Sequence, residues 1–280
     1  MKEITFPHRR AATNVILSVV VARAISILIV AVVALGAAWL LTSCGRSTSE
    51  STTTYVSPYN WEGLRFQGDR LSYSENGTLR SDLGVDVSSH QGSIDWSAVA
   101  SDGIDFAIIR VGNRGYTEGS LYVDECFAEN IDGAAAAGLE TGVYFFSQAV
   151  NEEEARQEAD LVIKQLNGRK LNLPVAYDHE PVTDPAGRAN DMSGTELVAC
   201  ARAFCERIEA AGYDTIIYGN KQDIARFNGV SLGNRPVWLA EYDASRPTAQ
   251  FDFILWQYTN DGTVAGIPTV VDLNIRFLTK

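Results

Sequence analysis

From residue 82 onward, short apolar runs alternate with longer amphipathic ones. The runs Leu83–Val87, Phe106–Val111, Thr141–Phe146, Pro174–Asp178, Thr215–Tyr218, Val237–Glu241, Phe253–Gln257 and Val270–Leu273 have the length and composition of strands. Between the early ones lie helix-like runs, Val123–Ala137, Glu152–Leu166 and Gly194–Ala211. In the last two, apolar residues recur at helical spacing. Asn151 before Glu152–Glu154 reads as a cap on an acidic first turn. Gly138, Gly168 and Gly212 read as helix stops. Between the last three strand runs there is little room for a helix. This alternation predicts an α/β fold, a (β/α)8-like barrel with helices missing in the last third. The span of roughly 200 residues is short for a full barrel, which agrees with lost helices. An open doubly wound sheet is the alternative, but no G-x-G-x-x-G follows the first strand and no P-loop is present.

The upstream pattern differs. Residues 1–44 read as a membrane-targeting segment, with a basic start at Lys2, Arg9 and Arg10. Apolar residues then run from Ala11 to Leu41, broken by Arg23, and 25–41 alone is near the lower length for a membrane span. Small residues precede Cys44, as in a bacterial lipoprotein cleavage box. We read Cys44 as a lipidation site, with an uncleaved anchor over 25–41 as the alternative. Both readings place the rest of the chain on the extracytoplasmic face of a bacterial membrane, near the wall. Residues 45–54 are a Ser/Thr-rich linker. Residues 55–81 read as an ordered lead-in strapped to the main domain at 82–280. Asn76-Gly77 between two short runs signals a hairpin, and Tyr59 and Trp61 need a surface to pack on.

Composition narrows the chemistry. The net charge of −12 leaves no basic face for nucleic acid. Three histidines, and four cysteines without a CxxC pair, provide no zinc spacing, so neither a metal nor a cofactor is expected. Cys200 and Cys205, five apart on one predicted helix, are poorly spaced for a bridge.

Acidic residues fall at strand ends: Asp86 on the first, Asp178 and Glu180 on the fourth, Asp272 on the eighth. In a barrel these ends converge on one mouth. Asp178 and Glu180, two apart, project the same way, with His179 opposite, toward the strand–helix layer. Two acids forced together raise each other's pKa, which lets one hold a proton as a general acid. Aromatic residues follow the same pattern. Tyr144, Tyr218, Trp238, Tyr242 and Trp256 are candidate walls of a sugar cleft, whereas Phe106, Phe145 and Phe253 read as packing.

These residues carry a family resemblance. Gly84-Val-Asp-Val-Ser-Ser-His-Gln-Gly92, Phe106-Ala-Ile-Ile-Arg110, Gly142-Val-Tyr-Phe-Phe146, Asp178-His-Glu180, Val237-Trp-Leu-Ala-Glu-Tyr242, Trp256-Gln-Tyr258 and Val271-Asp-Leu-Asn274 stand in the family's order. The stretch 82–280 resembles glycoside hydrolase family 25, the Chalaropsis-type lysozymes or N-acetylmuramidases. The resemblance implies cleavage of peptidoglycan strands between N-acetylmuramic acid and N-acetylglucosamine. It makes Glu180 the general acid, Asp178 the residue that orients the N-acetyl group or stabilises charge, and Asp86 and Asp272 the rest of the acidic cluster. It adds Gln257 and Asn274 to the aromatic residues as substrate-binding candidates. His179 departs from the pattern, where an apolar residue is expected. Other classes to be weighed are a wall-binding module without turnover and a metal-dependent phosphodiesterase on a similar barrel.

Overall fold

The computed structural model describes residues 55–227, 233 and 235–278. The targeting segment with Cys44 and the linker 45–54 lie outside the described residues. Among the described residues, no helix is long and apolar enough to cross a membrane.

The lead-in forms a small antiparallel sheet from β1 (Leu64–Gln67), β2 (Arg70–Glu75) and β3 (Thr78–Leu79). Asn76 and Gly77 turn between β2 and β3, both at positive φ (49° and 77°). That backbone matches strand twist and suits asparagine and glycine. The barrel follows: β4 (Ser81–Val87), β5 (Phe106–Arg114), β7 (Glu140–Phe146), β8 (Val175–Asp178), β9 (Thr215–Asn220), β10 (Val237–Ala240), β11 (Leu255–Gly262) and β12 (Val271–Phe277). Pairing of β4 with β5 closes the eight into a ring, and β6 (Leu121–Val123) adds an antiparallel ribbon to the far end of β5. The helices are α1 (Trp96–Ser101), α2 (Phe127–Ala136), α3 (Glu152–Leu166), α4 (Gly194–Ala210) and the short α5 (Lys221–Arg226). Among the described residues none follows β10, β11 or β12, so the last third lacks helices as the spacing predicts.

Three details correct the sequence reading. The run begun at Val123 is helical only from Phe127. Its start pairs with β5 instead, and Asp124 accepts the Cys126 N–H at the turn between. The seventh strand begins at Leu255 rather than Phe253. The eighth runs to Phe277, and it is antiparallel to both neighbours, β11 and β4. The other ring pairings are parallel. Asp272 therefore reaches the mouth from the beginning of its strand, directly opposite Asp86.

Alternation sorts each strand into two faces. Phe106, Ile108, Ala176, Ile216, Trp238 and Leu255 fill the barrel. Gly84 faces inward two residues before Asp86, and a Cβ there would lie 2.2 Å from the Phe106 ring, so the position demands glycine. The opposite faces join the larger outer core. There, where β11 and β12 carry no helix among the described residues, Leu64, Leu71 and Tyr73 of the lead-in complete the packing. Tyr59 stacks on Phe277 with centroids 4.3 Å apart, and its hydroxyl donates to the Phe253 carbonyl.

Candidate active site

Asp86, Asp178, Glu180 and Asp272 meet at the mouth in a cavity of about 320 Å³, walled by Tyr144, Phe146, Tyr218, Trp238 and Tyr242. Asp178 ends β8, and the Ser147 N–H donates to its carbonyl (2.7 Å). Gln148 Nε2 donates to the Glu180 carbonyl (2.9 Å), holding the segment beyond the strand. The carboxyls of Asp178 and Glu180 lie within hydrogen-bonding reach of each other, as do those of Asp86 and Asp272. Such pairs require a shared proton.

Burial first, then neighbouring charge, explains the electrostatics. Burial and the charge of Asp223 push Glu180 up to about 7. Burial and the charge of Glu180 push Asp178 well above the usual carboxylate range. Asp272 rises to about 8 through burial and the charge of Asp86. Asp86 is also raised by burial, but hydrogen bonds from Asn274 and Gln257 oppose the rise.

Those two amides are oriented by their other partners. Gln257 Oε1 accepts from the hydroxyls of Tyr218 and Tyr242, both at 2.7 Å, which turns its Nε2 to Asp86 Oδ2 (2.7 Å). Asn274 Oδ1 accepts the indole N–H of Trp238 (2.8 Å), which turns its Nδ2 to the same oxygen (2.8 Å). An indole N–H can only donate, so Asn274 cannot flip without losing a bond. Two donors on Asp86 favour its ionised form and leave the shared proton on Asp272. Asp178 differs, because its Oδ1 is buried without a hydrogen-bond partner.

The structure thus brings Tyr144, Tyr218, Trp238, Tyr242 and Gln257 to the mouth with the four acids. Trp256 is not there. It sits on the outer face of β11, fully buried, with its indole N–H on the Glu241 carbonyl. Strand alternation requires this once Gln257 points inward. Asn274 is fully buried beneath Asp86 and acts through it. His179 faces away from the mouth, with Nδ1 3.1 Å from the Ser147 carbonyl, and burial lowers its pKa to about 4. Arg110, Phe146 and Asn260 also line the cavity, and Asp223 loads it electrostatically from α5. Inward alternation on β5 could have identified Arg110. The others depend on loop and helix placement.

The family model for glycosyl hydrolases family 25 matches residues 85–267. The chain belongs to this family. It is 28% identical over 191 residues to an autolytic lysozyme from Clostridium acetobutylicum, covering 68% of this chain and 54% of that one. It is 32% identical over 203 residues to Lysozyme M1 from Streptomyces globisporus, covering 68% and 66%. The family 25 chain therefore spans between half and two thirds of the length of these curated relatives. Its barrel is similar to the crystal structure of a bacterial lysozyme from Streptomyces coelicolor, with TM-score 0.60 and 29% identity over 71% of this chain and 93% of that one.

The three described cysteines, Cys126, Cys200 and Cys205, are free thiols, the last two buried in α4 and pushed up to about 12 by burial.

Proposed function

We propose that this chain is a muramidase that hydrolyses peptidoglycan strands between N-acetylmuramic acid and N-acetylglucosamine. The carrying observation is the arrangement of two proton-sharing acid pairs in an aromatic-walled mouth, in a chain whose relatives are named lysozymes. Glu180, less buried than Asp178, gives the leaving glycosidic oxygen the proton that the pair shares. Asp178 accepts from the substrate's N-acetyl N–H through its unpartnered Oδ1. Ionised Asp86, fixed by two amides, opposes the positive charge that develops at the anomeric carbon. Tyr144 and Tyr242 cover sugar faces, Trp238 holds Asn274 beneath them, and a water molecule completes the hydrolysis. The membrane-targeting reading of 1–44 places this chemistry outside the membrane, tethered through Cys44 or the 25–41 segment.

The test is mass spectrometry of purified peptidoglycan treated with the protein and with Glu180→Gln. Fragments with reducing N-acetylmuramic acid ends, lost in the variant, are expected. Reducing N-acetylglucosamine ends would assign the wrong bond. Binding without fragments would make the chain a wall-binding module.

A further inference from the structure

The cavity wall contains four carboxylic acids and, among the described residues lining it, a single cation, Arg110. Arg110 continues the inward series Phe106, Ile108 on β5, so strand alternation aims it into the barrel mouth rather than into the outer core. Its guanidinium is held from behind. Nε donates to Asp124 Oδ2 (2.8 Å) and Nη2 to Ser89 Oγ (3.1 Å), while Nη1 lies 3.4 Å from His90 Nε2. Asp124 is itself satisfied by backbone, accepting from Ser89 N on Oδ2 and Cys126 N on Oδ1, both at 3.0 Å. It anchors the arginine without depending on it. A guanidinium has five N–H groups, so its terminal nitrogens retain donors beyond those used.

We propose that Arg110 is the carboxylate-binding residue of the cleft, recognising the anionic groups carried by muramic acid. These are the carboxyls of the stem peptide where it is attached and, where it has been removed, the lactyl carboxyl that its amide bond otherwise occupies. The proposal rests on the muramidase reading and deepens it. A neutral amino-sugar polymer needs no cation here. An anionic polymer meets the ionised members of the two acid pairs and is repelled everywhere in the mouth except where a fixed positive charge receives it. A planar guanidinium already held in one orientation binds a carboxylate with little further ordering. Arg110 thereby fixes which sugar enters on the β5 side of the mouth and favours muramic acid over a glucosamine unit.

The experiment compares full-length protein and its Arg110→Gln and Arg110→Lys variants on four soluble substrates. These are glycan strands with stem peptides, strands stripped of peptides by an amidase, and both after their carboxyls are converted to neutral amides. For the unaltered protein, neutralisation is expected to raise KM about tenfold while kcat changes less than about twofold. Arg110→Gln should show that raised KM on native strands and no further response to neutralisation, with Arg110→Lys between. A charge-dependent low KM kept on stripped strands would show that Arg110 also takes the lactyl carboxyl that the amidase frees, and its loss there would confine Arg110 to the peptide carboxyls. Equal KM for charged and neutralised strands with the unaltered protein would overturn the proposal. So would an equal loss on both by Arg110→Gln. The substrate comparison needs no variant, so it decides even if Arg110→Gln does not fold. If the unaltered protein cuts none of the four, the muramidase reading itself fails, and the carboxylate role with it.

Discussion

Glu180→Gln is expected to stabilise the fold while removing turnover, and the gain should depend on pH. In the native state Glu180 titrates near 7 instead of its ordinary 4.5, chiefly through burial. A raised carboxylate pKa means the folded state holds a proton that the unfolded chain releases. Its contribution is therefore fully present below pH 4.5, falls between 4.5 and 7, and is lost above about 7. The shift from 4.5 to about 7 corresponds, at about 1.4 kcal/mol per unit, to roughly 3 kcal/mol. Asp178 shares the penalty and remains in the variant, so a gain of about 1–3 kcal/mol is expected above neutrality. Glutamine keeps the volume, carries no charge and can donate to Asp178. Urea unfolding of both proteins from pH 4 to 8.5 reads the difference directly. Near pH 4 the two curves should nearly coincide, and they should separate between pH 4.5 and 7 and stay apart by a constant amount above that. A variant less stable at pH 8, or a difference flat across the range, would refute the account of the acid pair. Cleavage by the variant should fall at least about a hundredfold, the usual scale for losing a general acid.

Other substitutions separate positioning from packing. His179→Leu removes the donor to the buried Ser147 carbonyl, at a cost of about 1–2 kcal/mol in unfolding free energy. It should lower kcat more than it raises KM, with His179→Asn restoring part of the loss in steady-state assays. Trp238→Phe frees Asn274 Oδ1 and allows that amide to turn away from Asp86, so activity should fall and its pH profile should move. Trp256→Phe loses the bond to the Glu241 carbonyl and buried volume in the outer core; its thermal midpoint should drop with the pH profile unchanged. A chain beginning at residue 82 would expose Phe253 and Phe277 where Tyr59 and Trp61 now pack, so its melting temperature should drop or it should aggregate on expression.

The ring of strands was legible because period-two and helical patterns differ and because glycines stop the early helices, one of which also carries a cap. Asn151 accepts the Glu154 N–H, and Asn167 with Gly168 ends the same helix at positive φ. The acids were legible as strand-end residues. Strand direction was not, because an apolar run reads the same parallel or antiparallel. The face of Trp256 was misread for a related reason. Trp256 and Gln257 both stand among the substrate-binding candidates, but adjacent strand residues point to opposite faces, so only one of the two can face inward. Gln257 is the residue that fixes Asp86, and Trp256 and Tyr258 serve the outer core. Arg110 continues the inward alternation of Phe106 and Ile108, a signal weakened in the sequence because a strand arginine commonly marks an exposed face, and closure of the ring brings it to the mouth.

Reversal of β12 accounts for several of these features together. A parallel eighth strand would need a crossover helix to return to the floor of the barrel, whereas the antiparallel one follows β11 by a short connection through 263–270. Its inward residues then span the barrel from mouth to floor. Asp272 faces Asp86 at the top, Asn274 fixes Asp86 one layer down, and Arg276 ion-pairs with Asp82 and Glu140 at the bottom, 5.5 Å above the Phe106 ring. The same choice leaves β11 and β12 without helices to cover their apolar outer faces. Exposed patches of that size favour association, and the lead-in sheet covers them within the same compact unit. The family match begins at residue 85, after the lead-in ends, but the wall that holds Asp272 and Asn274 in place is packed from behind by Leu64, Leu71 and Tyr73. In this chain, then, placement of the acidic cluster depends on residues outside the segment that identifies the family.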